Sequence, residues 1–485
     1  MFRTLLTVVV LPWATAEAAG PVNIIHKDVA IIGGGGSGAY SAVRLREDFG
    51  VSVVVIEKDG ILGGHVNTWV DPATGRGFDA GVQNYLDLPG AKEFFTRFGV
   101  ATQPNVRNVL DQYYIDFTTG ARLTNYSPPP TSDRTAALRR YLQLAEQYLS
   151  IMEPGWWTFP PPKDIPADLL LPFRDFVAKY NLTAGVPQIF FTTGFGVHDL
   201  MGSLTMWVMR SFNVDLARTI LGINTAFVPS SRKNQDLYDA ILRLLGDDVL
   251  LNSTVVSSER PSANATTNGP VILTVRSSST GATTLIVAKK LLFTAPPTPN
   301  NLAPFDPDPA ELSTFSRFRY SATYVGIVTH PSLPRNASLL NTPLAAQPAN
   351  WLASIPAAPF IARFESYPDS PYYRAIAVGD ETLNSAEARK LIEGAFANVL
   401  VATTGKTAEE EAPLEFMLFE PHGLVSAYAS REDLVRCQGL IQRLNKLQGR
   451  RGMWFTGAAW SVHISTSLWV FTDTLLPRVV ASLGE

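Results

Sequence analysis

Glycines and one glutamate between residues 28 and 57 have the spacing of a dinucleotide-binding turn. In "DVAIIGGGGSGAYSAVRLRED", Gly33, Gly35 and Gly38 form the pattern G-x-G-x-x-G directly after an apolar run. The first glycine permits a tight turn, the second lets a pyrophosphate approach the backbone, and the third lets a helix pack closely on a strand. Glu57 ends the next apolar run, "VSVVVIEK", where a carboxylate can bind both ribose hydroxyls of an adenosine. These residues predict a dinucleotide cofactor and disfavour NADP, because Glu57 would repel a 2′-phosphate.

The elements around these residues are those of a β-α-β unit. "DVAIIGG" and "VSVVVIEK" are continuously apolar, which is typical of buried parallel strands, and "SGAYSAVRLRED" between them predicts a helix. The N-terminus of such a helix offers free N–H groups and a partial positive charge to phosphates. The sequence therefore predicts an α/β fold that begins with a Rossmann-like unit.

A second glycine pair distinguishes between FAD and NAD. In "ILGGHVNTW", Gly63-Gly64 follows Glu57 at once, and this stretch resembles the second flavin motif of the monoamine-oxidase-like flavoprotein superfamily. His65 stands where that superfamily has an arginine. "GFDAGVQNYLD", with Gly81 and Val82, resembles the superfamily segment that runs along the flavin ring. The resemblance implies FAD as the cofactor.

Two later blocks match the same superfamily in order. "VLLNSTVVSSERP" precedes a strand that ends in Ala-Pro-Pro, and the resemblance implies that Val255 or Val256 contacts the adenine through its backbone. "GMWFTGAAWSVHISTSLWVFTDTLLP" reads as a strand, a loop containing Gly457, and a helix that begins near Thr466. The usual acidic residue after the C-terminal glycine is Ala458 here, so one ribityl contact of the superfamily is missing.

The text "LQG…TGAA…H…LW", with "LGGH" and "FEPHGLVSAY", resembles the fungal β-cyclopiazonate dehydrogenase group within that superfamily. This resemblance implies FAD-dependent oxidation of a hydrophobic, alkaloid-like small molecule of secondary metabolism, with oxidative cyclisation as one outcome. It also implies that the C-terminal helix points its first amides at the pyrimidine edge of the flavin. Together the glycine pattern and the resemblance assign the cofactor to Gly33, Gly35, Gly36, Ser37, Gly38, Glu57, Lys58, Gly64, His65, Gly81, Val82, Val256, Gly457, Ala458, Ser467 and Leu468.

The expected architecture is α/β, with a Rossmann-like FAD-binding domain of the amine-oxidase type and an inserted substrate domain of a mixed sheet and helices. Residues 28–90, 225–300 and 425–485 are assigned to the FAD-binding domain, and 91–224 and 301–424 to the substrate domain. Apolar spacing predicts helices at Asp133 to Met152, at Gln235 to Leu245 and at Ser385 to Thr403. "YSATYVGIVTH" and "YYRAIAVGD" predict strands of the mixed sheet.

The residues that would contact the substrate differ from those of amine oxidases. Amine oxidases of the superfamily carry a lysine near flavin N5, whereas no lysine occurs here from Pro296 to Trp351. The candidates for catalysis or substrate contact are His463, Trp460, Tyr324, Asn84 and Tyr85. Three functions remain open: an oxidase or dehydrogenase that uses O2 or another electron acceptor, a redox-neutral isomerase of an unsaturated lipid, and a flavin-binding protein without turnover.

Composition and the N-terminal residues bear on partners and location. The chain of 485 residues has a formal net charge of −3, which gives no basic excess for nucleic acid. Residues 1–19 combine an arginine, a short apolar stretch and Ala-Glu-Ala, which predicts a secretory signal peptide rather than a membrane anchor. A secreted or secretory-pathway glycoprotein is therefore expected, without a transmembrane anchor and without a metal site. The Asn-x-Ser/Thr sequons are at Asn125, Asn181, Asn252, Asn264 and Asn336.

Overall fold

The computed structural model describes residues 23–106, 109–193, 196–262, 269–407, 409–436, 438–458, 460–461 and 463–484. The predicted signal peptide and the sequon at Asn264 lie outside these residues. Within them, no helix is both long enough and apolar enough to cross a membrane.

Nineteen strands and fifteen α-helices are present in the described residues. The strands, numbered in chain order, are β1 (Asn23–Ile32), β2 (Val53–Ile56), β3 (Thr68–Val70), β4 (Gly77–Asp79), β5 (Tyr85–Leu86), β6 (Thr102–Pro104), β7 (Asp111–Asp116), β8 (Ala121–Arg122), β9 (Ala226–Pro229), β10 (Val249–Leu250), β11 (Ser253–Glu259), β12 (Val271–Ser277), β13 (Thr283–Phe293), β14 (Arg319–Thr329), β15 (Ala337–Asn341), β16 (Phe360–Ser366), β17 (Tyr372–Asp380), β18 (Glu415–Tyr428) and β19 (Met453–Phe455). The helices are α1 (Gly36–Val43), α2 (Ala91–Arg97), α3 (Thr131–Glu146), α4 (Leu149–Met152), α5 (Phe173–Lys179), α6 (Val186–Thr193), α7 (Thr205–Ser211), α8 (Val214–Ile220), α9 (Gln235–Leu245), α10 (Pro299–Leu302), α11 (Pro309–Phe315), α12 (Ser385–Thr404), α13 (Arg431–Val435), α14 (Leu440–Asn445) and α15 (Ser465–Ala481).

The first sheet is the Rossmann-like sheet that the glycine pattern predicts. Its order is β10-β2-β1-β13-β12-β11, and β19 pairs with the end of β13. β1 lies parallel to both β2 and β13, and β11, β12 and β13 form an antiparallel meander. The residues Val29 to Ile31 and Val53 to Val55 are completely buried, as expected for parallel strands covered on both faces. β1 is longer than predicted, because it begins at Asn23 opposite Thr284.

Two helices bring the ends of the chain together on this sheet. α1 begins directly after the glycine turn, and α15 packs beside it near the C-terminus. The indole Nε1 of Trp469 on α15 donates a hydrogen bond to the carbonyl of Gly36, at 3.0 Å. The first turn of α1 is therefore fixed by a residue more than 400 positions away.

The second sheet is the predicted mixed sheet of the substrate domain. Its order is β18-β14-β17-β16-β15-β7-β8, and β15 and β7 are its parallel pair. α12 packs against one face, and the other face joins the core that includes the first sheet. The predicted boundary between residues 424 and 425 falls inside β18, so the substrate sheet continues to Tyr428.

The segment around Cys437, a residue outside the described part, differs from its sequence pattern. The apolar residues Leu434, Leu440, Ile441 and Leu444 have helical spacing and are all buried. They lie on two short helices, α13 and α14, because Gly439 between them has a φ of 76°.

Candidate functional site

The glycine turn between β1 and α1 has no room for side chains. Gly33 has a φ of 98°, and its N–H donates to the carbonyl of Ile56 on β2 at 2.9 Å. A Cβ on Gly38 would lie 1.9 Å from the carbonyl oxygen of Gly33. Gly33 thus supplies a backbone conformation that L side chains rarely adopt, and Gly38 allows close approach of helix and turn, as the sequence predicts.

Glu57 joins the end of β2 to this turn. Its side chain is 5% exposed and accepts hydrogen bonds from the backbone N–H of Gly34, at 2.6 Å, and of Asp59, at 2.9 Å. Desolvation raises the pKa of the carboxyl group, and the two backbone N–H groups partly oppose this. Lys58 instead turns outward and forms an exposed ion pair with Asp59, so no cofactor contact of its side chain is apparent.

The second glycine pair lies against the first. Gly35 forms an isolated parallel bridge with Gly63, and a Cβ on Gly64 would lie 2.9 Å from the Cα of Gly35. Two chain segments therefore meet backbone to backbone at the start of α1. Gly36 and Ser37 form the first turn of that helix, where amides are available to phosphates.

The C-terminal part of the site consists of Gly457 and the start of α15. Gly457 has a φ of 117°, and a Cβ there would lie 3.2 Å from the carbonyl oxygen of Thr294. On α15 the amide of Leu468 donates to the carbonyl of Ile464 at 3.0 Å. The prediction that the Leu468 amide faces the flavin is therefore wrong, because that N–H already forms an intrahelical bond. The amide of Ser467 precedes that bond and remains the candidate.

Val256 lies at a β-bulge in β11. The ladder with β12 shifts register between Val255 and Ser257, and the Val256 side chain is 48% exposed whereas Val255 is buried. Nothing in the geometry tests the adenine contact, which stays a prediction.

The predicted ring-binding segment meets β18 through two histidines. The ring of His65 stacks on that of His422 with centroids 4.7 Å apart, and His65 Nε2 lies 3.0 Å from the carbonyl oxygen of His422. A Cβ on Gly81 would lie 1.9 Å from the carbonyl of His65 and 2.7 Å from His422 Cε1, and the Val82 N–H donates to that same carbonyl. Although part of the His65 ring is open to solvent, the surrounding protein desolvates it and lowers its pKa. His422, which the sequence reasoning missed, has a pKa well below its ordinary value for the same reason.

Irregular pairing of β18 with β14 places these side chains. Thr323 pairs with Gly423 and Tyr324 with Pro421, so His422 is an extra residue in a bulge. A second register shift precedes Ser426. Bulges bend a strand and change the direction of its side chains. The signal in the sequence was Gly423, whose φ is 65°.

His463 lies on the same side of β18. Its Nδ1 is 3.3 Å from the Oγ of Ser426, and a Cβ on Gly196 would lie 2.4 Å from its Cε1. Desolvation, helped by the nearby charge of Arg210, lowers the pKa of His463 to about 3. The imidazole is consequently neutral at physiological pH, and contact of His463 with a substrate stays a prediction.

Arg210 is a second functional candidate that sequence reasoning missed. Its guanidinium is 7% exposed and donates to the carbonyl of Ala458, at 3.2 Å, and to that of Ala427. Burial lowers its pKa to about 9, and within the described chain it forms no ion pair with a carboxylate. A cation therefore lies behind the loop that contains Gly457, where the superfamily has an acidic residue instead of Ala458.

Comparisons with known proteins agree with this geometry. Residues 31–98 match the NAD(P)-binding Rossmann-like domain family. The chain is 31% identical over 468 residues to the FAD-dependent oxidoreductase pigF of Monascus ruber, covering 96% of this chain and 94% of that protein. It is 30% identical over 470 residues to β-cyclopiazonate dehydrogenase of Aspergillus oryzae, covering 97% of this chain and 96% of the relative. The chain belongs to this family of FAD-dependent oxidoreductases.

Solved structures show the same fold for this FAD-dependent oxidoreductase. A fatty acid isomerase of P. acnes that produces CLA superposes with a TM-score of 0.68 at 17% identity, over 93% of this chain and 98% of that one. Wild-type putrescine oxidase bound to putrescine superposes with a TM-score of 0.61 at 16% identity, over 94% and 100% of the two chains. The predicted fold class, the FAD cofactor and the resemblance to the β-cyclopiazonate dehydrogenase group are confirmed.

The residues of this oxidoreductase fit FAD. The glycines at 35 and 64 leave bare backbone where a pyrophosphate must pass, and Glu57 is a buried carboxylate at the ribose position. The amide of Ser467 at the N-terminus of α15 and the guanidinium of Arg210 add positive potential on the C-terminal side. These groups would hold FAD, and a position of His65, His422 and His463 beside its ring is a prediction.

Three predicted substrate or catalytic residues do not belong to this site. Trp460 is 1% exposed and stacks on Phe455 with centroids 5.1 Å apart, so it is a core residue. Tyr85 is completely buried among aromatic rings that include Trp469. These two corrections have one cause: an aromatic side chain close to a cofactor motif in sequence can point into the adjoining core.

Tyr324 is the third correction. Its hydroxyl donates to the carbonyl of Leu383 at 2.6 Å, and its ring packs in the core that α12 forms with the substrate sheet. That core lies on the opposite face of the sheet from the cofactor side. Asn84 is partly buried directly before Tyr85, and its contact with a substrate stays a prediction.

A cleft of about 1140 Å³ opens at the end of β17, beside the first turns of α12. His198, Leu200, Met201, Ile355, Leu383 and Leu391 are among its lining residues. The Tyr428 hydroxyl lies 3.4 Å from His198 Nε2, and Ser426 is two residues earlier on the same strand. The cleft is thus separated from the Ser426–His463 pair by the end of β18, and it does not include the glycine turn.

Proposed function

We propose that this FAD-dependent oxidoreductase removes a hydride from a C–H bond of a hydrophobic small molecule, with O2 or another acceptor completing the cycle. The supporting observation is an apolar wall, the face of the substrate sheet that shares its core with the FAD-binding sheet. On the cofactor side of the substrate sheet Val325, Ile327 and Ile376 are buried apolar residues, and the nearby histidines have lowered pKa values. Such a wall suits an uncharged hydrocarbon framework and is unsuited to a diffusing cation.

Bound FAD supplies a two-electron acceptor that takes the hydride at N5 of its ring. The C–H bond of the substrate breaks with its electron pair, and a proton leaves a neighbouring N–H or O–H group. His463, whose ring Ser426 holds through Nδ1, is a candidate hydrogen-bond partner of that group, but its pKa of about 3 makes it too weak a base to keep the proton, which passes to solvent. The same oxidation followed by attack of a second group of the substrate gives oxidative cyclisation.

The chain's fixed charges stabilise the electron-rich product of the step. Arg210 lies behind Ala458, and the first amides of α15 point along the helix axis toward its N-terminal end. Preorganised donors and cations at the position where negative charge develops lower the barrier without a reorganisation cost.

Anaerobic reduction tests the proposal. FAD-loaded protein is mixed under nitrogen with hydrophobic heterocycles. One of them is β-cyclopiazonate, the compound in the name of the Aspergillus oryzae relative. We expect one of them to bleach the flavin absorbance and to yield peroxide on admission of air. Conversion of an unsaturated fatty acid without net bleaching would support the redox-neutral isomerase instead, and yellow protein without any turnover would support a flavin-binding role.

Secretion is a separate proposal. It rests on the pattern of residues 1–19 and on sequons such as Asn125, Asn181 and Asn336, which are exposed. We expect the mature chain to begin between Thr15 and Val22 and to carry glycan. The intact mass of protein from its native host measures both, and an unprocessed, unglycosylated chain would contradict the proposal.

A further inference from the structure

Two arginines and one glutamate form a charged cluster on the substrate sheet. Glu365 Oε2 accepts from Arg374, at 2.8 Å, and lies 3.1 Å from Arg363 Nη2. Arg363 Nη1 also donates to the carbonyl of Phe191 at 3.0 Å. With two guanidinium groups and one carboxylate, the cluster carries one excess positive charge.

The sheet register places this cluster on the cofactor side. Arg374 pairs with Ile327 of β14 and with Glu365 of β16, and directly opposed residues of antiparallel strands point to the same face. Ile327 belongs to the core shared with the FAD-binding sheet, whereas the residue next to it, Val328, belongs to the core under α12. The arginines therefore share a face with the apolar wall described above.

A bulge in β16 brings Arg363 into the cluster. The pairing with β17 shifts register between Ile361 and Phe364, both of which pack in the core under α12. Ala362 and Arg363 therefore both lie between Ile361 and Phe364, whose side chains point to the face under α12. A bulge of this kind next to a ligand site is a common way to direct one side chain.

The cluster is close to the ring position. Desolvation lowers the pKa of His422, whose ring stacks on His65, and the charges of His65 and Arg374 lower it further. Tyr367 lies between the two regions, because its hydroxyl donates to the backbone carbonyl of Asp79 at 2.7 Å. Asp79 offsets only part of the excess charge near pH 7, because burial raises the pKa of its carboxyl group to about 7 against the opposing charge of Arg374, and its Oδ1 accepts from Thr68 and from the backbone of Asn234.

An excess cation in this environment is costly without an anion. The exposed fractions of the Arg363, Glu365 and Arg374 side chains are 19%, 27% and 8%, so the groups are largely withdrawn from bulk water without being sealed. Removing a charge from water costs several kcal/mol unless it is paired. The rings of Phe190, Phe191 and Phe360 pack together beside the cluster. A ligand that satisfies both features has an apolar body and a planar oxyanion, which a guanidinium binds in a bidentate manner.

We propose that Arg363 and Arg374 form an anion subsite that binds the carboxylate or enolate oxygens of a hydrophobic substrate. This inference rests on the proposed function and names a property of its substrate. The subsite orients the molecule by its anionic end, so that its apolar part extends along the wall toward His463.

A matched pair of probes tests the subsite. 4-Phenylbutyrate and its uncharged amide, 4-phenylbutyramide, are titrated into FAD-loaded full-length protein, and the change in the visible flavin spectrum gives the Kd. We expect the carboxylate to bind at least tenfold more tightly than the amide. Equal affinities of the wild-type protein for the two probes would overturn the inference and need no variant.

Variants that change the cluster charge in opposite directions separate recognition from structural support. Arg363→Met makes the cluster neutral and is expected to abolish the preference for the carboxylate. Glu365→Gln makes its charge +2 and is expected to strengthen that preference severalfold. A structural role alone would weaken binding in both variants, and that result, or an unchanged preference in Arg363→Met, would overturn the inference.

Two controls complete the experiment. Arg389→Met removes an arginine that pairs with Glu393 on α12, against the opposite face of the sheet, and should leave the preference unchanged. The FAD content of every variant is measured first. Wild-type protein that binds no FAD contradicts the proposed function, whereas yellow wild-type protein that does not distinguish the two probes contradicts only the subsite.

Discussion

A single buried carboxylate connects the two halves of the nucleotide turn. Glu57 accepts hydrogen bonds from Gly34 and Asp59, and desolvation raises its pKa. The hydrogen bonds from these two backbone N–H groups partly offset the desolvation free energy of the carboxylate. Hydrogen bonds from the ribose hydroxyls of FAD to the same carboxylate would offset a further part of this desolvation free energy.

Glu57→Ala is therefore expected to weaken FAD binding strongly. Loss of two charge-assisted hydrogen bonds to the ribose corresponds to roughly 2–4 kcal/mol. Quenching of FAD fluorescence on titration into apoprotein gives the Kd. Lys58→Ala is the neighbouring control, since Lys58 forms an exposed pair with Asp59, and an equal Kd for Glu57→Ala and wild type would contradict the assignment.

Asp79 is expected to make stability depend on pH. Burial raises its pKa in the folded protein to about 7, whereas an unfolded Asp titrates near 3.9. Between about pH 4 and 7 the folded state binds more protons than the unfolded state, so this group lowers stability as the pH rises through that window. Asp79→Asn keeps an acceptor oxygen for Thr68 and Asn234 and removes the titration.

The melting temperatures of wild type and Asp79→Asn are measured from pH 5 to 8. We expect the advantage of the variant to grow from pH 5 to about 7 and to level off above it, because the carboxyl group of the wild type is then ionised in both the folded and the unfolded state. Asp247→Asn, at an exposed position, is the control and should show no such trend. A difference that stays constant with pH would contradict the prediction.

The sequence predicted those residues of the site whose chemistry allows few alternatives. Gly33, Gly38 and Glu57 are each required by backbone geometry or by ribose recognition, so type and spacing identify them. The assignment of Trp460 and Tyr85 to the site was wrong because aromatic residues also pack well in a core. The direction of each side chain depends on the residues packed against it, and Trp469, beside Tyr85, is remote in sequence.

At the scale of elements, α15 brings its free amides to the cofactor. The first intrahelical bond is donated by Leu468 to Ile464, so the N–H of Ser467 lies before it. A helix N-terminus carries about half a positive charge and can stabilise a nearby anion by roughly 1–2 kcal/mol where it is desolvated.

Ser467→Pro removes that amide without breaking an intrahelical bond. Proline is tolerated in the first turn of a helix, so we expect FAD to bind, the flavin potential to become more negative, and anaerobic reduction to slow about tenfold, equivalent to ~1.4 kcal/mol. Dye equilibration and stopped-flow absorbance measure the two quantities. Ser467→Ala keeps the amide and should resemble wild type, and an unchanged potential in fully loaded Ser467→Pro would show that this amide does not act on the flavin.

Elements with strong periodicity were predicted well, and irregular ones were not. The predicted helix Gln235–Leu245 has the same bounds in the structure, because its amphipathic pattern is complete. The bulges of β16 and β18, which direct Arg363 and His422, were not predicted, since a bulge depends on the register of a partner strand far away. Tyr324 was misplaced for the same reason.

At the scale of the whole molecule, a buried ion pair joins the segment after β11 of the first sheet to α11, which precedes the second sheet. Arg260 follows β11 of the FAD-binding sheet and donates to both carboxylate oxygens of Glu311 on α11, at 2.6 and 3.1 Å. The exposed fractions of the two side chains are 0% and 1%. Glu311 also accepts from the backbone N–H of Asp308 in a capping box.

Arg260→Met would leave the carboxylate of Glu311 buried without its main partner. Breaking such a pair typically costs about 3–5 kcal/mol, and we expect the free energy of unfolding to fall by that amount. Urea denaturation followed by fluorescence measures it. Arg319→Met, which removes an exposed pair with Glu381, should change stability by less than about 1 kcal/mol, and equal effects of the two substitutions would contradict the role assigned to Arg260.

The position of β1 has a consequence for the order in which the protein is made. β1 is the first described element to leave the ribosome, yet its partner β13 lies in the second half of the chain, and Gly457 and α15 come last. In a nascent chain β1 can pair with β2 early, but its other edge stays unpaired until β13 has been synthesised. Ribosome-bound fragments that stop before Gly457 should therefore retain no FAD, and cofactor loading becomes an event that follows the synthesis of α15.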